Sequence, residues 1–157
     1  MSLNNIFHIA GSGMNAQSVR LNTTASNLAN AQSVSSSVEE TYRARKPVFA
    51  PMLERYKQGI TDEYGFQNPT TSFNPRDVAG EGVNVLGIVE SNQELQMRHE
   101  PNHPMANEEG YVFYPNVNVV EEMTDMLAAS RSFQTNVEVM NTSKQMMQRV
   151  LTLGQGA

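Results

Sequence analysis

The chain has no cysteine among its 157 residues, which excludes disulfides and thiolate metal sites and leaves the redox compartment open. Its first 31 residues contain no Asp or Glu, and Arg20 is the only strong base among them. Nowhere does it have the ~18 consecutive apolar residues of a spanning helix. Its start also lacks a charged segment followed by an apolar run of about 7–15 residues, because the stretch from Ile6 to Ala10 is short and interrupted by His8. Direct membrane insertion is therefore not expected, and work outside the cytoplasm would require export without a cleaved signal peptide. A net charge of −5 supplies no general basic field, so nucleic acid is not an expected partner. With glycine counted and tyrosine left out, apolar residues make up about 42% of the chain, a little under the ~45–50% of soluble globular domains. The core is thin for the length, and the length itself suits one domain or a small domain with long terminal extensions.

Proline is missing from both ends: all seven lie between Pro47 and Pro115. This divides the chain into residues 1–32, 33–115 and 116–157. In the first zone Phe7, Met14, Leu21 and Leu28 recur every seven residues, with Leu3, Ala10, Gln17, Thr24 and Ala31 between them. The pattern predicts a helix with a heptad-like seam, weakened by Gln17 and Thr24 and by Gly11 and Gly13. Gly11-Ser12-Gly13 has neither the spacing of a phosphate loop nor that of a nucleophile elbow, and it fits a flexible or close-packed helix position.

In the last zone Val119, Met123, Met126, Ser130, Phe133, Val137, Met140, Lys144, Met147 and Leu151 follow an unbroken 4,3 alternation. Asn118 and Glu121 form a candidate capping box, Glu121, Glu122 and Asp125 suit the positive helix end, and Gly154 and Gly156 supply a stop. The predicted helix runs about 33 residues, near 50 Å. Its apolar seam is too small to order that length alone, so it needs partners. One is the N-terminal helix; a flanking row of Val120, Leu127, Gln134 and Asn141 half-offers a second contact surface. The competing structural reading is an intramolecular helical hairpin capping a small β-domain.

Between the helices, Val34 to Val38 suggests a joint, and strands are expected within Thr41–Phe49, Val83–Val89 and Tyr111–Tyr114. Residues 58–80, rich in Gly, Asn, Pro, Thr and Ser, suggest a long loop. The expected fold is α+β: long N- and C-terminal helices packing as a coiled-coil-like pair, with a small irregular β-rich middle domain. His99, Glu100 and His103 offer the one candidate metal set, but Pro101 and Pro104 break the helix that would align them. His103 more readily orders a turn. No catalytic residue, metal or cofactor is assigned.

Several stretches resemble the flagellar axial proteins, the family of rod and hook subunits. One runs Ala10-Gly11-Ser12-Gly13-Met14-Asn15-Ala16-Gln17, through Arg20-Leu21-Asn22, to Ala25-Ser26-Asn27-Leu28-Ala29-Asn30-Ala31, and is similar to the N-terminal signature of that family. Tyr42-Arg43-Ala44-Arg45 with Pro47-Val48-Phe49, and Pro101-Asn102-His103-Pro104-Met105-Ala106 with Gly110-Tyr111-Val112, are similar to its proximal-rod branch. So is Pro115-Asn116-Val117-Asn118-Val119-Val120-Glu121-Glu122-Met123, continuing through Ala129–Val139 to Leu151-Thr152-Leu153-Gly154. The family pattern favours Tyr where Phe133 stands and Asp where Glu100 stands.

The resemblance implies a structural rod subunit rather than an enzyme, with terminal helices that pack together and line a tube. It implies passage through the flagellar type III export apparatus, a place in the basal-body rod across the periplasm, and other rod subunits and basal-body ring or adaptor proteins as partners. Self-association is expected. The expected assembly interface comprises Phe7, Met14, Leu21, Asn27, Leu28, Asn30, Val119, Met123, Met126, Phe133, Val137, Met140, Met147 and Leu151, with Asn27 and Asn30 fixing register by polar contacts. Two alternatives are a small metal-dependent enzyme using His99, Glu100 and His103, and a soluble adaptor of the export system.

Overall fold

The computed structural model describes residues 3–53 and 80–154. Helix α1 spans Leu3–Asn30, and strands β1 (Arg45–Leu53), β2 (Gly80–Glu90), β3 (Gln96–His99) and β4 (Tyr111–Tyr114) precede helix α2 (Val119–Gly154). The α+β expectation, with terminal helices and small antiparallel sheets between them, holds. The loop expected at residues 58–80 lies outside the described residues except for Gly80, where β2 begins.

Both helices form where proline is absent. Ser33 closes α1 by donating its N–H and its hydroxyl to the Asn30 carbonyl, at 3.0 and 2.8 Å. At the start of α2, Asn118 Oδ1 accepts the Val120 N–H at 3.2 Å, as an N-cap does. The other half of the expected capping box does not form: the Glu121 carboxylate accepts from Lys46 Nζ at 2.9 Å instead of turning back onto Asn118, because β1 brings that ammonium within reach. The same hydrogen bond holds the Lys46 ammonium above the ordinary lysine range.

Strands β1 and β2 form an antiparallel ribbon running from Arg45↔Glu90 to Leu53↔Gly80. Val48 faces Gly87 and Phe49 faces Val85, so Leu86 is the extra residue of a bulge. Pro47 and Pro51 are tolerated because each strand of a two-stranded ribbon has a free edge. Strands β3 and β4 form a second pair, Gln96↔Tyr114 to His99↔Tyr111. Nothing in Gln96-Met97-Arg98-His99 favours a strand; pairing with the apolar β4 creates it.

The suggested joint at residues 34–38 is tied down. Ser35 is buried and exchanges both backbone hydrogen bonds with Phe113, at 3.1 and 3.0 Å, while Thr41 Oγ1 donates to the Ser37 carbonyl at 2.6 Å. The core is thin and made of small residues: Ala10, Ala16, Ala44, Val112, Val117 and Ala129 are its buried hydrophobics among the described residues. Helix α1 is the shared element, packing against α2 and against the β1–β2 ribbon. Gly82 sits at that second junction with φ +128°, where a Cβ would overlap Ser12 Oγ.

Candidate assembly interface

The two helices run antiparallel. A Cβ on Gly13 would lie 2.9 Å from Asn136 Nδ2, and one on Gly11 would lie 4.0 Å from Met140 Cε. Arg20 donates to Asp125 Oδ1 at 2.7 Å, and Asn27 Nδ2 donates to Glu122 Oε1 at 3.0 Å. On α1 the inward row is thus Ala10, Gly13, Arg20 and Asn27; on α2 it is Glu122, Ala129, Asn136 and Ser143, spaced by sevens. Small residues let the backbones approach closely and push the large apolar side chains to the flanks.

Around Asn27 the chain builds a closed polar knot. Asn27 is 1% exposed, and its Nδ2 also donates to the Arg45 carbonyl at 2.8 Å. Its Oδ1 accepts the Arg45 N–H and the Tyr42 hydroxyl, each at 2.9 Å. All four hydrogen-bonding positions of this α1 amide are filled, from α2, from β1 and from Tyr42 just before it. Nearby, Asn116 Oδ1 accepts the Ala44 N–H at 2.7 Å, and its Nδ2 donates to the Gln93 carbonyl at 2.9 Å. Glu122, one of the carboxylates expected to suit the positive helix end, is buried. Desolvation raises its pKa above the ordinary carboxylate value, with the Asn27 hydrogen bond opposing.

The expected interface residues fall into three groups. Asn27 is buried and bonded to Tyr42, Arg45 and Glu122 of its own chain. Phe7, Met14, Leu21, Leu28, Asn30, Val119, Met126, Phe133, Val137 and Met140 are half-buried along the flanks. Asn30 Nδ2 donates within its own helix, to the Ser26 carbonyl at 2.8 Å. Met123, Met147 and Leu151 are exposed. Within one chain the contact row therefore follows 122, 129, 136 and 143, one position away from the 123, 130, 137, 144 arm of the apolar 4,3 pattern. The exposed large side chains of α2, Val120, Met123 and Leu127 near its start and Met146, Val150 and Leu153 near its end, have no cover.

Among the described residues no three His, Asp or Glu side chains converge in a way that could hold a metal. His103 Nδ1 accepts the Met105 N–H at 3.1 Å and orders the turn, while the His99 ring meets Tyr111 edge-on with centroids 5.0 Å apart. No described helix is long and apolar enough to cross a membrane.

A long two-helix hairpin, close-packed through small and polar residues and bare on an apolar flank, defines a structural protein built for assembly. Family comparison agrees: residues 7–34 match the family described as flagella basal body rod protein, and residues 108–153 match the flagellar basal body rod FlgEFG protein C-terminal family. The chain is 44% identical over 155 residues to flagellar basal-body rod protein FlgC of Escherichia coli O6:H1, covering 99% of this chain and 100% of that one. It is 44% identical to FlgC of Salmonella typhimurium with the same coverage, and 32% identical over 160 residues to FlgC of Borreliella burgdorferi, covering 99% and 100%. The chain belongs to the FlgC family of flagellar basal-body rod proteins. It is a structural subunit of the rod, and not an enzyme.

Proposed function

We propose that the chain joins the rod through α1 and α2, with residues 1–32 and 116–157 as assembly segments around a middle domain at 33–115. Neighbouring rod subunits cover the flanking side chains Phe7, Met14, Leu21, Leu28, Met126, Phe133, Val137 and Met140 and the exposed Met123, Met147 and Leu151. The observation that carries this reading is the row of large apolar side chains left uncovered on α2, from Val120 at 73% exposure to Leu153 at 78%. Basal-body ring and adaptor proteins are the further partners, and the flagellar type III export apparatus is the route, without a cleaved signal peptide.

The last turns of α2, which carry exposed apolar side chains, gain stability on docking, so their ordering is coupled to assembly. Limited proteolysis of the purified monomer tests this: cleavage within the last turns of α2 beside a resistant remainder is expected, and a fully protected α2 would count against it. Val137→Asp or Met140→Asp is expected to abolish swarming while the protein is still made. Motile cells carrying either change would refute the assigned interface.

A further inference from the structure

Gly11 and Gly13 face α2, whereas Ser12 between them turns to the β1–β2 ribbon. The Ser12 hydroxyl donates to the Ile9 carbonyl at 2.9 Å, which fixes its direction, and its oxygen accepts the Val83 N–H at 3.2 Å. The ribbon is thus held on α1 at two places. At its root the Arg45 N–H and carbonyl both go to the Asn27 amide, at 2.9 and 2.8 Å. Toward its far end Ser12 holds Val83. From Asn27 to Ser12 is fifteen residues of helix, about 22 Å. From Arg45 to Pro51, which stands opposite Val83, is six residues of strand, about 20 Å, so the two anchors are in step.

Over the same interval β2 has seven residues, the extra one being Leu86. Alternate N–H groups of a strand point to its partner and away from it, and one extra residue reverses that alternation beyond it. The bulge therefore decides that the Val83 N–H leaves by the free edge, where Ser12 receives it. We infer that Ser12 is a positioning residue, whose hydroxyl acts with the bulge at Leu86 to set the angle at which the ribbon lies against the helical hairpin. This rests on the rod reading above and adds to it. Leu86, Ile88 and Val89 are 66%, 53% and 52% exposed on β2, and the angle fixes where the ribbon carries them in the assembled rod. Because one hydroxyl holds the far end and a filled amide holds the root, removing the hydroxyl frees the far end alone.

Ala forms helix better than Ser, so Ser12→Ala leaves α1 intact. In the purified full-length chain this variant is expected to speed exchange of the Val83 amide about five- to tenfold, the loss of one net hydrogen bond, and to leave the Arg45 amide at the root unchanged. The absence of native cysteine allows nitroxide labels at chosen sites. An Asn15→Cys/Asn84→Cys pair is expected to give a narrow distance distribution in the parent and a broad one with Ser12→Ala. An Ala29→Cys/Val89→Cys pair near the root stays narrow in both. In cells Ser12→Ala is expected to reduce swarming with the chain present at the parent's level. An unaltered Val83 amide and distance would overturn the anchor, as would equal broadening at both label pairs. A freed far end with full swarming would overturn its part in assembly. Absence of the parent chain from basal bodies would instead refute the rod reading itself.

Discussion

The two ends of the helical hairpin are built on opposite terms. At the Asn27 end, α1, α2 and the strand entering the ribbon meet in a buried amide whose donors and acceptors are all filled within the chain. At the Leu153 end, a helix face carries large apolar side chains and meets nothing. The Asn27 end is fastened by polar groups and bears exposed apolar side chains only on its outer flank, whereas at the Leu153 end no residue of the last turns is buried. The difference shows where this chain fixes its own geometry and where it leaves surface for neighbours.

The contrast can be broken most strongly at the knot. Asn27→Ala strands the Arg45 N–H and carbonyl and the Glu122 carboxylate and leaves the Tyr42 hydroxyl with Ser26 alone, and is expected to cost about 3 kcal/mol in urea unfolding of the purified chain. Next comes the middle of the hairpin. Gly13→Val drives a branched side chain into Asn136 and is expected to cost about 2 kcal/mol by the same measurement.

Smaller and opposite in sign is Glu122→Gln, which keeps an acceptor for Asn27 and removes a charge that burial disfavours. A carboxyl whose pKa is raised in the folded state contributes most below its unfolded value, and that contribution falls as pH rises through the folded one. The variant is therefore expected to be more stable than the parent at pH 7, with the difference closing as pH falls below 4.5, the unshifted carboxylate value. Thermal unfolding at the two pH values checks it. Smallest are Val150→Ser and Leu153→Ser, expected to leave monomer stability within about 0.5 kcal/mol while reducing swarming. A large stability loss from either would show that the last turns of α2 are covered within their own chain.

Both helices, their polarity of capping and the mixed middle were legible in the sequence, because proline placement and seven-residue recurrence act locally. The contact row was less so. Apolar size drew attention to Met123 and Val137, whereas close approach of two backbones selects Ala129, Ser143 and Gly13. The spacing of Glu122, Ala129, Asn136 and Ser143 was visible all along, but small and polar residues at heptad positions look like gaps in a seam. In the sequence Glu122 is only a charge that suits the helix end, since its burial depends on Asn27, 95 residues away. Strand β3 was illegible for a similar reason: its residues acquire strand form from β4.

An antiparallel pair also decides where the ends of the chain emerge. Leu3 and the last turns of α2 lie together, at the opposite end of the hairpin from Ser33 and Asn118. A purification tag or fluorescent fusion placed before α1 or after α2 therefore arrives at the same corner of the molecule, beside the exposed last turns of α2. An insertion for labelling is better placed in the turn between β3 and β4, around Glu108 and Glu109, where the side chains are exposed and the hairpin is remote.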